Sequence, residues 1–442
     1  TRASAYDLAK VTQTPVVLIV NCKGMSVSIL PFIQGFVNFM PDSNIKGVLL
    51  NQISSMLYPR VKEMIETKLG IKVYGYVPVV TDCVIESRHL GLVMPNEIQD
   101  FKEKLGKLAK RMEETIDFHG LIELGKSAPA ISVEKETKEY FQSLKNQGEK
   151  IKIGLAKDEA FCFFYEDNLK LLEEMGAELI PFSPIHDKEL PPDIQGLLLY
   201  GGYPELYGKA LEENLSMREQ IKEALSKGMP VLAECGGFIY LHDIFEDEKG
   251  VFRQGVGQIK GKVFNTGKLS RFGYIEASCK KPVFGRQLGM CPAHEFHYFD
   301  STSCGADFYA KKPTGKRGWD CIHSTPTMTA GFPHFYYYGN PELPKAFLDC
   351  SRDFKKRQMH VQEALEKIQP LNEEAMKSSQ AHWDSIAHPL HSLGKLEDMI
   401  VQIAGITGTP KVCVKKRVLI PMCADNGVVE EGVTQTGQEI TA

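Results

Sequence analysis

Three apolar runs separated by helical patterns constrain the first third of the chain. Pro15-Val16-Val17-Leu18-Ile19-Val20-Asn21, Ile45-Lys46-Gly47-Val48-Leu49-Leu50-Asn51 and Ile71-Lys72-Val73-Tyr74-Gly75-Tyr76-Val77 each read as a buried strand. Pro78 stops the last of them. Between the first two, Ile29, Phe32, Ile33, Phe36 and Phe39 recur at helical spacing and predict one apolar face. Tyr58 to Leu69 predicts a second helix. Strand, helix and strand in close succession require a parallel sheet with helices on its faces, since parallel neighbours need a crossover. The charged stretch from Asn96 to Asp117 predicts an amphipathic helix that closes this unit.

A second α/β unit is expected after a polar, Lys/Glu-rich linker over 123–150, marked by Lys126-Ser127-Ala128-Pro129. It opens with Ile151 to Ala156 and continues as a helix (Tyr165 to Met175), two strands (Glu178 to Phe182, Gln195 to Tyr200) and a helix (Leu206 to Ser226). A strand at Met229 to Ala233 follows. Beyond about 250 the pattern becomes short Gly- and aromatic-rich strands as far as Tyr338. A charged helix from Pro344 to Ile368 leads to a third block, with a helix over Glu373 to Ile386, then Ser392-Leu393-Gly394, and a late strand at Arg417 to Met422. That block is too short to close a core of its own.

Composition excludes several classes. The 442 residues are 43% hydrophobic and 24% charged, the balance of a globular protein. Lys plus Arg is 52 against 56 for Asp plus Glu, a formal charge of −4, which argues against a nucleic-acid partner. No apolar run approaches the roughly 20 residues of a membrane helix. The first residues lack the apolar segment of a signal peptide. The 11 cysteines form no Cys-x-x-Cys pair, and their odd number fits reduced thiols in the cytoplasm. With no initiator Met and no closing element, the chain reads as a fragment at both ends.

Ala233-Glu234-Cys235-Gly236-Gly237 carries the chemistry. A small residue, a nucleophile and a glycine between a strand and a helix form a nucleophile elbow, which lifts the thiol above the sheet edge. The helix N-terminus behind Cys235 is expected to stabilise a thiolate and lower its pKa. Backbone N–H groups at Gly236 and in the Gly201-Gly202 turn are the expected oxyanion hole. A buried cysteine in a tight turn fits the same local pattern.

A nucleophilic cysteine needs a base. His334 follows a strand-like run from Thr327 to Phe332, downstream of the cysteine in the same unit. His294 and His297, in His294-Glu295-Phe296-His297, are its rivals. On a strand those two would point to opposite faces, and their spacing matches no helical zinc motif, so no metal site is expected.

Residues 151–342 resemble the glutamine amidotransferase domain of the cobyrinate a,c-diamide synthase family. The segments that carry the resemblance are Lys157 to Phe163, Phe182-Ser183-Pro184, Gly201 to Leu206, Ser216-Met217-Arg218, Ala233 to Gly237, Phe272-Gly273-Tyr274 and His294 to Tyr298. The resemblance makes Cys235 the glutaminase nucleophile. It places the catalytic histidine at His334, shortly before Asn340-Pro341-Glu342. The usual Tyr-x-His-x-His-Phe is altered to Phe332-Pro333-His334-Phe335-Tyr336-Tyr337. Pro333 is expected to distort the strand and leave the histidine held by packing more than by ladder bonds. No Glu follows His334 by two residues, so the Cys-His-Glu triad of other class I amidotransferases is not visible.

Residues 1–122 resemble the later part of the same family's ATP-binding domain, which is similar to dethiobiotin synthetase. Ser4 to Ala9, Val20 to Met25, Gly47 to Asn51 and Glu86-Ser87-Arg88-His89-Leu90-Gly91-Leu92 carry this likeness. It implies that Asn51 reads an adenine edge, although a strand-end turn residue looks the same. The Gly-x-x-x-x-Gly-Lys-Ser/Thr loop does not occur in the sequence. Residues 368–442 resemble the beginning of the nicotinate-nucleotide–dimethylbenzimidazole phosphoribosyltransferases, through Ser392 to Glu397 and Ala424 to Val433 among others.

The expected architecture is therefore α/β. A partial dethiobiotin-synthetase-like P-loop domain (1–122) and the linker (123–150) precede a class I amidotransferase-like domain (151–350). A helical linker (351–370) and a short α/β fragment (371–442) follow. The resemblance implies ATP and Mg²⁺ as cofactors, glutamine as nitrogen donor and cobyrinate or a similar corrinoid as acceptor. Amidases of hydrogenobyrinate or nickel sirohydrochlorin share these motifs. A cysteine hydrolase without synthetase activity and a non-catalytic assembly protein are the readings from other classes.

Overall fold

The computed structural model describes residues 4–40, 42–85, 87–88, 91–92, 98, 100–145, 148–386 and 393–413. Its contacts divide the chain into two compact units, Thr1–Ser351 and Arg352–Ala442.

The first unit begins with a three-stranded parallel sheet in the order Val16–Asn21, Ile45–Asn51, Lys72–Val77. Helices Ile29–Phe39 and Tyr58–Leu69 cover it, burying Ile29, Ile33, Val61 and Ile65 against Val20, Val48, Leu50 and Val73. The expected single apolar face of the first helix is only partly used. Phe32, Phe36 and Phe39 stay exposed, because Ile29, Leu30 and Ile33 are the side chains that meet the sheet. Phe32 and Phe36 pack on each other instead, with ring centroids 5.1 Å apart. The amphipathic helix runs Phe101–Thr115. Two further helices follow, Phe118–Lys126 and Lys135–Ser143. The second stacks Phe141 on Tyr338 at 5.2 Å.

Two larger sheets position the site, and a four-stranded sheet in the order Phe252–Gln254, His242–Glu246, Ile259–Asn265, Phe299–Ser301 lies beside them in sequence. A six-stranded sheet runs His323–Ser324, Met328–Gly331, Val231–Glu234, Gly196–Leu199, Ile151–Ala156, Ala177–Phe182, and all its pairings but the first are parallel. A five-stranded antiparallel sheet runs Gly318–Cys321, Phe308–Lys311, Arg271–Cys279, Met290–His297, His334–Phe335. One core joins them, with Ile153, Leu198 and Leu232 from the first and Ile275, Ala293 and Phe308 from the second.

The helix expected from Leu206 to Ser226 is two, Gly208–Glu213 and Leu215–Ser226. Asn214 separates them. Its side-chain amide donates to the carbonyls of Pro184 and Asp187 at 2.9 and 2.7 Å, which pins the break to a neighbouring loop. The charged helix spans Glu342–Glu366.

In the second unit, helix Glu373–Ser385 packs on a helix that the sequence pattern did not suggest, Lys395–Thr407. Asn372 caps the first by accepting from the Ala375 N–H at 2.9 Å. Ser392 and the late strand expected at Arg417 to Met422 lie outside the described residues.

Candidate active site

Cys235 stands between strand Val231–Glu234 and the short helix Gly236–Tyr240. Its backbone is at φ 45°, ψ −99°, a conformation that costs a residue with a β-carbon on the order of 1–3 kcal/mol. Neighbouring bonds hold it there. The Cys235 N–H donates to the Gly331 carbonyl at 2.8 Å, and its carbonyl accepts from the Ile239 N–H at 2.9 Å. The turn also needs Gly237, where a β-carbon would stand 1.9 Å from the Leu199 carbonyl oxygen.

His334 arrives on the edge strand of the antiparallel sheet, paired with His294. The proline before it does not break the ladder, contrary to expectation, since Ala293 still pairs with Phe335. The strand is also clamped from the other side. Buried Asn168 donates to the Phe335 carbonyl at 2.7 Å and accepts from the Tyr337 N–H at 2.9 Å. The ring of Phe163 meets the imidazole edge-on at 4.9 Å.

Cys235 and His334 line one cavity of about 100 Å³, together with Gly202, Glu205, His294 and His297. The Gly202 nitrogen is 3.0 Å from where a β-carbon on Gly236 would stand, so the two glycines named for the oxyanion hole are neighbours. The two rival histidines alternate in burial along Met290–His297, as residues three apart on a strand must, yet both reach the cavity. His297 stacks on Phe332 at 4.0 Å, and its Nδ1 is 2.7 Å from the Phe299 carbonyl. Its Nε2 has no hydrogen-bond partner among the described residues.

Burial dominates the electrostatics. It pushes the Cys235 thiol up, and the carboxyl groups of Glu205, Glu234 and Glu295 add to the effect. The expected lowering is therefore corrected: the Gly236 N–H favours the thiolate, but it does not outweigh desolvation. Burial, and then the neighbouring His297, press His334 down to about 4, so the resting imidazole is neutral. Burial lifts Glu205 to about 7 and Glu234 well above the usual carboxylate range.

Asn51 ends the strand Ile45–Asn51 half-buried, and its carbonyl accepts from the Cys22 N–H at 2.8 Å. Ser87–Arg88 and Gly91–Leu92 form a two-stranded antiparallel ladder; His89 and Leu90 lie outside the described residues. Asn51 offers one contact for a nucleotide base. The glycine-rich phosphate loop is missing from the sequence, and the residues present do not by themselves fit a nucleoside triphosphate. Among the described residues no group of three or more His, Cys, Asp or Glu side chains is placed to hold a metal ion. No described helix is long and apolar enough to cross a membrane.

Sequence reasoning passed over Glu234, Asn168 and Glu205. Glu234 lay inside the elbow motif and Glu205 in the Gly201 to Leu206 run, where a carboxylate destined for full burial was the available signal. Asn168 gave none, because its partners are more than 160 positions away.

A buried thiol on a strained strand-to-helix turn shares a small pocket with a histidine, on a fold of the class I glutamine amidotransferase type. Residues 152–328 match the CobB/CobQ-like glutamine amidotransferase domain model. Residues 368–442 match a second model, described as phosphoribosyltransferase. The chain is 39% identical to the cobyrinate a,c-diamide synthase of Caldanaerobacter subterraneus subsp. tengcongensis over 80% of this chain and 78% of that protein. It is 36% identical to the enzymes of the same name from Clostridium tetani and Clostridium acetobutylicum. Those matches cover 78% and 77% of this chain, and 78% and 76% of the relatives. The chain belongs to the cobyrinate a,c-diamide synthase family.

Proposed function

We propose that the chain takes ammonia from glutamine and uses it to convert the a and c side-chain carboxylates of cobyrinate to amides. The observation that carries the glutaminase half is the pairing of Cys235, at φ 45°, with His334 across one small cavity. The thiol proton passes to His334 as Sγ attacks the amide carbon of glutamine. The C–N bond then breaks, the imidazolium returns its proton to the leaving nitrogen, and ammonia and a γ-glutamyl thioester result. Water hydrolyses the thioester to glutamate. The Gly202 and Gly236 N–H groups serve the oxyanion. The raised thiol pKa suits this order of events, because the charge is created only when glutamine has excluded water and the histidine can accept the proton.

ATP with Mg²⁺ is the cofactor set this reading calls for, and Asn51 is its candidate contact to the base. The residues present do not supply a phosphate cradle. The charge balance of the chain, with 52 basic and 56 acidic residues, supports a small-molecule acceptor over nucleic acid. A cytoplasmic location accords with the odd number of cysteines, 11, and the absence of a Cys-x-x-Cys pair in the sequence.

Cys235→Ala tests the assignment. In the protein completed with a phosphate loop, glutamine-dependent amidation of cobyrinate should vanish while amidation with ammonium salts persists. Equal loss with both nitrogen sources would show that Cys235 is structural. Hydrogenobyrinate and nickel sirohydrochlorin as alternative acceptors would decide which tetrapyrrole is used.

A further inference from the structure

The carboxylate that class I amidotransferases place two residues after the histidine is replaced here by Tyr336. The structure supplies another carboxyl group from the opposite sheet. Glu234, the residue immediately before the nucleophile, puts Oε2 3.6 Å from Nδ1 of His334. Its Oε1 accepts from the Phe335 N–H at 3.4 Å. Both side chains are buried.

We propose that Glu234 is the positioning residue of His334, accepting from its Nδ1–H so that Nε2 is left free to face Cys235. This inference rests on the glutaminase reading above. Two consequences follow from the geometry. The carboxyl group fixes the tautomer, because a group that accepts at Nδ1 leaves the lone pair on Nε2. It also gives the imidazolium formed during thiol attack a counter-charge inside a cavity that has little water to offer. The nucleophile and the carboxyl group that orients its base are consecutive in sequence. The bend at Cys235 aims them differently: the thiol into the cavity, the carboxyl group towards the edge strand.

Other titratable groups surround the pair. Tyr165, Tyr200 and Tyr337 feel the charge on Glu234, and His297, Glu295 and His294 lie around the imidazole. Burial favours the uncharged form of both partners, raising the carboxyl group above the usual carboxylate range and lowering the imidazole. Loss of the carboxyl proton then converts the pair to the productive arrangement as pH rises.

Glu234→Gln separates positioning from simple structural support. The amide oxygen can still accept from the Phe335 N–H and hold the strand, but the NH₂ group then faces Nδ1 and donates to it. That forces the proton onto Nε2, the unproductive tautomer. Glutamine hydrolysis should fall by up to roughly 10⁴-fold in kcat, the scale expected when an orienting carboxylate becomes an amide and imposes the wrong tautomer. KM for glutamine should stay within a few-fold, and the acid limb of the pH profile should move to lower pH. Wild-type kcat and an unmoved acid limb in a folded Glu234→Gln protein would overturn the proposal. Nitrogen NMR of His334 in the wild-type protein decides independently of any variant, above the pH at which the pair is activated. A proton on Nδ1 is expected, and a proton on Nε2 would overturn the proposal. Failure of the underlying reading looks different, since wild-type protein would then release no ammonia from glutamine at all.

Discussion

Gly201 lies directly against the imidazole of His334. A β-carbon at residue 201 would stand 2.5 Å from His334 Cε1, 3.4 Å from Nδ1 and 3.5 Å from Nε2. The ring cannot retreat freely, since Phe163 covers it and its strand is paired with Met290–His297. Gly201→Ala should therefore displace the base without opening the fold. A shift near 1 Å can cost about 10²-fold in rate. Glutaminase kcat should drop by that order while the thermal midpoint changes little. A variant with full activity would mean that the imidazole tolerates movement and that its position is not limiting.

His334 and His297 share the cavity but are expected to differ in role. His334→Ala should cut glutamine hydrolysis about 10²–10⁴-fold, the usual scale for a positioned acid–base group. His297 stacks on Phe332 and meets the Phe299 carbonyl through Nδ1, so His297→Ala should chiefly cost stability and leave turnover within about tenfold. The measurement is ammonia release by both variants at saturating glutamine. A dead His297→Ala beside an active His334→Ala would reverse the assignment.

Glu205 yields a prediction about pH. Its carboxyl group is raised to about 7 by burial, from an ordinary value near 4.5. Below pH 4.5 it is protonated both folded and unfolded and contributes no pH dependence. Between 4.5 and 7 the unfolded chain releases the proton more readily, so the group destabilises the fold increasingly. Above 7 the penalty is constant, on the order of 3 kcal/mol by linkage. Glu205→Gln should thus gain stability over wild type as pH rises from 4.5, with the gain levelling off above 7. Urea unfolding at pH 4.5, 6 and 8 gives the comparison, and a pH-independent difference would refute the shift.

Asn168 holds the strand that carries His334. Its removal leaves the Phe335 carbonyl and the Tyr337 N–H without their side-chain partner inside the protein. Asn168→Ala should cost roughly 2–6 kcal/mol, at about 1–3 kcal/mol for each of the two orphaned buried groups. It should also lower kcat, because the residues around His334 lose their clamp. Stability measured by denaturant, with turnover measured well below the midpoint, separates the two effects. A loss under 1 kcal/mol would show that water replaces the amide.

The sequence by itself determined the class of fold and the place of the elbow at Cys235. Apolar strand runs and helical spacing are local signals, and the order of strand, elbow and helix around Cys235 is contained in about a dozen consecutive residues. The glycine pattern of the elbow is likewise local, because Gly237 answers to a clash with the adjacent strand at Leu199. Tertiary structure decided everything that depends on burial and on distant partners. The direction of the Cys235 pKa followed from desolvation, which a helix-terminus argument does not contain. Phe32, Phe36 and Phe39 stand outside because Ile29, Leu30 and Ile33 occupy the side of their helix that meets the sheet. The carboxyl group beside His334 came from Glu234, 100 positions earlier, because the edge strand of one sheet is folded against the elbow of the other. Spacing along the chain could exclude a Glu two residues after the histidine, but only the meeting of the two sheets could supply its replacement.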